Sequence, residues 1–181
     1  MNIPNLITLG RVILVPVIFW MLVNGMMEAA FIMFLIAGVS DAVDGFLAKR
    51  FRWETELGAY LDPLADKLLL VSVFIALGTA GHVPSWLVIA IVSRDILIVM
   101  GVLLARMLDH PIRIQPHTIS KLNTVAQIIL AALVLADEGF ALNAASLRDG
   151  LIWVVGALTV LSLATYVRSF LAHMAGPAQS R

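Results

Sequence analysis

The chain contains no cysteine, so disulfides, thiolate zinc sites and cysteine nucleophiles are all excluded. Charge is also scarce: only 13% of its 181 residues are Asp, Glu, Lys or Arg, and the charges sum to zero. That balance argues against a general polyanion-binding role, and hence against nucleic acid as a partner. No cleavable-signal pattern opens the chain, because the apolar run from Val12 to Val23 leads into further apolar segments. Internal repeats, low-complexity tracts and signs of a second domain are lacking too, so 1–181 reads as a single domain. What remains is apolar: 61% of residues are hydrophobic, and the mean hydropathy is +0.97. A water-soluble domain of this length needs far more polar surface, so the expected class is an all-α integral membrane protein.

About 20 apolar residues cross a bilayer as a helix. By that measure six transmembrane spans are predicted: Leu6–Val23, Ala29–Ala48, Leu57–Gly78, Trp86–Ala105, Ile119–Ala136 and Leu151–Phe170. The breaks between them are Asn24-Gly25, the charged turn Arg50–Glu56, Gly81–Pro84, and the longest loops on each side, Asp109–His117 and Asp137–Asp149. Basic residues are distributed unevenly. Lys49, Arg50, Arg52, Arg106, Arg113 and Lys121 share one side with Arg11, Arg168 and Arg181, whereas the other side holds Arg148 against Glu28, Asp137, Glu138 and Asp149. The positive-inside rule then places both termini in the cytoplasm.

Four aspartates lie in or beside this apolar sequence: Asp41, Asp44, Asp62 and Asp66. Each costs roughly 2.5–3.5 kcal/mol in hydrocarbon even on lenient insertion scales, and together they repel. Residues three or four apart share a helix face, so Asp41, Asp44, Gly45 and Ala48 form one stripe and Asp62 and Asp66 another. The short turn between them makes the two helices antiparallel neighbours, with the stripes at one depth on the cytoplasmic side. Gly45, Ala48 and Gly58 remove bulk beside the acids. An all-oxygen donor set without His or Cys suits a hard cation, Mg²⁺ or Mn²⁺, and two carboxylate pairs suggest two ions. The plainer alternative makes these acids solvated helix ends paired with Lys49, Arg50, Arg52 and Lys67. It serves for any one aspartate, but less well for four at this spacing with three small residues among them. An ion pathway fits less well, because nothing comparable continues toward the other side.

The run D-x-x-D-G-x-x-A-K from Asp41 to Lys49, an eight-residue gap, and G-x-x-x-D-x-x-x-D from Gly58 to Asp66 resembles the signature of the CDP-alcohol phosphotransferase family. One position departs: Lys49 stands where the family usually has arginine, and a lysine meets phosphate as a point charge rather than as a fork. The resemblance implies a reaction in which an acceptor hydroxyl attacks the β-phosphorus of CDP-diacylglycerol and CMP leaves. It also implies roles. Asp41, Asp44 and Asp62 hold metal and nucleotide diphosphate, and Asp66 binds metal and takes the hydroxyl proton. Gly45, Ala48, Lys49 and Gly58 lie against the nucleotide. Asn5, Thr8 and Arg11 sit on the right side either to touch it or to anchor the first span. Homodimers are usual in the resembling family, and Gly38 and Ala80 are candidates for packing.

The acceptor site must come from the second half of the chain. Arg94 lies within apolar sequence and needs an anion, either Asp95 and the acid cluster or an acceptor phosphate. Arg113 and Lys121 add cations on the same side; His110 and His117 read as ordinary interfacial residues. The segments Ile91–Asp95 and Gln115–Thr124 resemble eukaryotic-type cardiolipin synthases more than phosphatidylglycerophosphate synthases. The neutral Asn123 occupies a position where the latter often carry a lysine. Fewer cations suit phosphatidylglycerol, a phosphodiester, better than the more highly charged glycerol 3-phosphate, so cardiolipin synthesis is the favoured expectation. The absent targeting segment favours a bacterial inner membrane.

Overall fold

The computed structural model describes the backbone of residues 3–51, 56–107 and 118–175, and side chains over 10–41, 43, 65–101 and 118–169. Six helices make up this backbone: α1 Ile3–Val23, α2 Met27–Phe51, α3 Glu56–Thr79, α4 Ser85–Met107, α5 Thr118–Phe140 and α6 Ala145–Ala175. Each contains one of the six expected spans and extends beyond it at one or both ends.

Two of the helix ends are set by glycine. Gly25 and Gly81 adopt positive φ, 72° and 82°. At the first, the Met26 amide donates to the Met21 carbonyl and the Gly25 amide to the Leu22 carbonyl. At the second, the His82 amide donates to Leu77 and the Gly81 amide to Gly78. These paired bonds satisfy carbonyls that a helix end would leave open, and only glycine takes the left-handed conformation at little cost. Pro84 follows closely; its carbonyl accepts from the Leu87 and Val88 amides as α4 begins.

The connection between α5 and α6 corrects an expectation. Asp137–Asp149 reads as the longest loop on its side, yet helix continues to Phe140 and resumes at Ala145. The charged residues are accommodated by pairing. Asp137 Oδ1 accepts from the Ala144 amide at 2.9 Å, and Arg148 donates to Glu138 at 3.1 Å. His82 Nδ1 also meets Glu138, at 3.1 Å. The Arg50–Glu56 turn falls largely, and the Asp109–His117 loop wholly, outside the described residues.

The helices pack as a closed set. α1 lies on α2 and α3, α2 also on α5, α5 on α6, α6 on α4, and α4 back on α3. Ile18, Ala30, Phe74, Leu87, Leu130 and Val155 are among the apolar residues buried where they meet. Large apolar side chains also point outward from all six helices, among them Ile13, Val39, Leu68, Ile89, Ile129 and Trp153. A soluble fold does not expose apolar surface on that scale without a covering partner. Among the described residues, Thr118–Phe140 and Ala145–Ser169 are long and apolar enough to cross a membrane.

Candidate functional site

Among the described residues the buried charge centres on two arginines, Arg11 and Arg94. Arg11, a little over two turns into α1, is only 3% exposed. Its Nη2 lies 2.6 Å from Asp41 Oδ1 on α2, and its Nη1 lies 2.7 Å from Asp66 Oδ1 on α3. The two carboxylates are far more open, with side chains 40% and 42% exposed. Charge-assisted bonds of this length are the strong kind. An arginine within apolar sequence needs an anion, and here one guanidinium joins three helices.

Asp41 and Asp66 come together, but through Arg11. The expected antiparallel pairing of α2 and α3 is not seen among the described residues, where α1 packs on both helices and the two make no direct contact. The bridging role of Arg11 is the main addition. The rule that singles out Arg94, a cation in apolar sequence demanding an anion, applies equally to Arg11 and marks it as paired. Sequence does not identify its partners, which lie 55 positions away for Asp66. The side chains of Thr8, Asp44, Gly45, Ala48, Lys49, Gly58 and Asp62 fall outside the described set, although the backbone carries Asp44 on α2 and Asp62 on α3. Arg113, His110 and His117 fall outside it altogether.

A second network centres on Arg94. Arg94 on α4 is 2% exposed. Its Nη1 donates to Asp95 Oδ1 at 2.6 Å, and its Nε and Nη2 donate to Ser162 Oγ on α6 at 3.2 and 2.7 Å. Nη2 also donates to Ser120 Oγ on α5. Lys67 Nζ reaches the same Asp95 oxygen at 2.7 Å. Lys67 therefore pairs with α4 rather than with the aspartates of the motif, because consecutive helix residues point about 100° apart. In this arrangement Arg94 is engaged by protein oxygens on three helices and meets its anion in Asp95. Asn123 is fully buried and accepts a hydrogen bond from Thr159 Oγ1 at 3.1 Å, whereas Lys121 is exposed. The structure therefore does not gather Arg94, Lys121 and Asn123 into one open cluster.

Beside the Arg11 centre a groove of about 370 Å³ opens between α2, α3 and α5. Arg11, Asp41 and Asp66 form its polar end, and Phe34, Leu35, Leu70 and Ile128 are among its apolar walls. Gly38 also lines it, and a Cβ added there would meet nothing within 4 Å. From Phe34 to Asp41 the α2 wall runs about 10 Å along the helix. The site is therefore a charged head joined to an apolar trough.

The fit to a divalent ion can be judged from the two described acids. Their oxygens converge on one cationic group, both are open toward the groove, and the donors are all oxygen, as Mg²⁺ or Mn²⁺ prefers. Among the described residues alone no group of three or more ligating side chains assembles. Further ligands for a metal at these two acids would have to come from outside the described side chains.

Comparison with known proteins agrees with this geometry. The CDP-alcohol phosphatidyltransferase family profile matches residues 1–171. A chloroplastic CDP-diacylglycerol–glycerol-3-phosphate 3-phosphatidyltransferase from Oryza sativa subsp. japonica is 36% identical over 184 residues, covering 92% of this chain and 56% of that protein. Human cardiolipin synthase (CMP-forming) is 32% identical over 179 residues, covering 90% of this chain and 59% of its own length. The CDP-diacylglycerol–glycerol-3-phosphate 3-phosphatidyltransferase of Escherichia coli (strain K12) is 35% identical over 173 residues, covering 92% and 93%. The chain thus spans little more than half of the rice and human relatives and nearly all of the bacterial one. With the signature in place and the profile matching nearly end to end, the chain belongs to the CDP-alcohol phosphatidyltransferase family.

Proposed function

We propose that the protein transfers a phosphatidyl group from CDP-diacylglycerol to an alcohol within a membrane. The observation that carries this reading is the Asp41–Arg11–Asp66 centre at the mouth of an apolar groove. A lipid diphosphate needs both parts, a charged site for the diphosphate and an apolar trough for an acyl chain. The outward apolar residues on all six helices support six bilayer spans, with the charged end on the cytoplasmic side.

In this reading Asp41, Asp44, Asp62 and Asp66 would hold one or two Mg²⁺ or Mn²⁺ ions. The metal would supply charge neutralisation at the diphosphate and at the departing CMP. The residues of the chain do the remainder. Gly45, Ala48 and Gly58 leave room for the nucleotide, and Thr8 and Lys49 stand beside it. Asp66 takes the proton from the acceptor hydroxyl as its oxygen bonds to the β-phosphorus and the bond to CMP breaks.

For the acceptor, we favour phosphatidylglycerol, giving cardiolipin. Arg94 is engaged by Asp95, Ser120 and Ser162, and Asn123 is uncharged and buried. Lys121, with Arg113 in the neighbouring loop, is left to meet the acceptor phosphate. Few free cations suit a phosphodiester of charge −1 better than a monoester near −2. Glycerol 3-phosphate is the second reading, because relatives of both kinds match at similar identity. Purified protein supplied with CDP-diacylglycerol and Mg²⁺ or Mn²⁺ is expected to form cardiolipin from phosphatidylglycerol. Product from glycerol 3-phosphate alone would overturn that choice.

A further inference from the structure

We infer that Arg11 competes with the divalent cation for Asp41 and Asp66, acting as a built-in counter-charge that holds the two carboxylates together and must yield at least one of them when metal binds. This rests on the metal-dependent reading above and concerns a residue that reading leaves without a role. Arg11 reaches the two acids through separate nitrogens, at 2.6 and 2.7 Å, so its guanidinium occupies the point on which both carboxylates converge. A cation placed between those oxygens would meet a positive charge a few ångströms away, and the two repel.

The burial pattern points the same way. The guanidinium lies beneath, 3% exposed, while the carboxylates face the groove at 40% and 42%. An ion entering from the groove therefore reaches the acids without first displacing the arginine. Arg11 Nε is also buried and has no hydrogen-bond partner among the described residues. The side chain is held by its two outer nitrogens alone. An unsatisfied buried donor is costly, so the clamp lacks the full set of bonds that would fix a purely structural arginine. Arg94 differs in just this respect, since its Nε and both terminal nitrogens are bonded. Arg11 is therefore a positioning residue: it sets the spacing of α2 and α3 at the site and tunes how tightly metal is held there.

The test is Mn²⁺ binding to purified full-length protein stripped of metal by chelation, followed by the electron paramagnetic resonance of free Mn²⁺, with thermal melts alongside. Arg11→Gln should bind Mn²⁺ about tenfold more tightly or better, the scale expected when a unit charge a few ångströms from the ligands is removed. Without metal it should melt below the wild type, and the gap should close as Mn²⁺ saturates. Arg11→Lys keeps the charge but cannot fork across two carboxylates, so its affinity should fall between the two. Wild type that binds Mn²⁺ while Arg11→Gln binds it no more tightly overturns the competition and leaves the metal reading intact. Equal melting of the two proteins without metal overturns the clamp. If neither protein binds Mn²⁺, both readings fall. If Arg11→Gln does not fold, Arg11→Lys decides: Mn²⁺ binding no tighter than wild type overturns the inference.

Discussion

Two arginines that look alike in sequence are used differently. Arg11 and Arg94 each stand in apolar sequence, and each finds a carboxylate, but Arg94 is bonded to Asp95, Ser120 and Ser162 from three helices and is closed to the groove. Removing one member of a buried pair strands its partners, at a cost of about 3 kcal/mol or more. Arg94→Met should therefore lower the melting temperature of the detergent-solubilised protein markedly. Lys67→Met should cost less than about 1 kcal/mol, because Lys67 is 36% exposed and its attraction to Asp95 is screened. Similar losses for the two would contradict the view that burial sets the value of each contact. At this scale helical spacing groups Asp41 with Asp44 and Asp62 with Asp66, since helical periodicity is local. Of these, the described side chains bring Asp41 and Asp66 together on Arg11. The partner of Arg11, the direction of Lys67 and the burial of Asn123 were not legible in the sequence, because each depends on which face another helix covers.

The helices themselves were readable from apolar runs and from the glycines that close α1 and α3, Gly25 and Gly81. What misled was the Asp137–Asp149 segment, where charge suggested loop although ion pairing lets α5 and α6 carry it. The groove was not readable at all, since it exists only where α2, α3 and α5 diverge. It makes its own prediction. Gly38 lies in a helix with open space beside it, so Gly38→Leu should fold at least as well as the wild type and gain about 1 kcal/mol of helix propensity. The leucine would fill the trough, so turnover of long-chain CDP-diacylglycerol should fall at least about tenfold while a short-chain analogue is less affected. Unchanged long-chain kinetics in a well-folded Gly38→Leu would remove the groove from the substrate site.

As a whole the molecule is apolar around its girth and ionic at its two ends, but the ends differ. One carries His82, Glu138, Arg148 and Asp137 in mutual pairs, an arrangement that satisfies itself. The other carries Asp41 and Asp66, paired with Arg11 yet partly exposed beside an apolar trough. That asymmetry is what the proposed reading uses to place the chemistry at a single end. The central claim is that Asp66 and its neighbours drive metal-dependent transfer from a CDP-activated lipid. The most direct measurement is CMP release from CDP-diacylglycerol by wild type and Asp66→Asn, each with and without chelator. The wild type should release CMP only when Mg²⁺ or Mn²⁺ and an alcohol acceptor are present. Asp66→Asn should lose at least about a hundredfold in rate with its melting behaviour retained, the scale of a missing general base. CMP release that survives chelation, or persists undiminished in Asp66→Asn, would contradict the account.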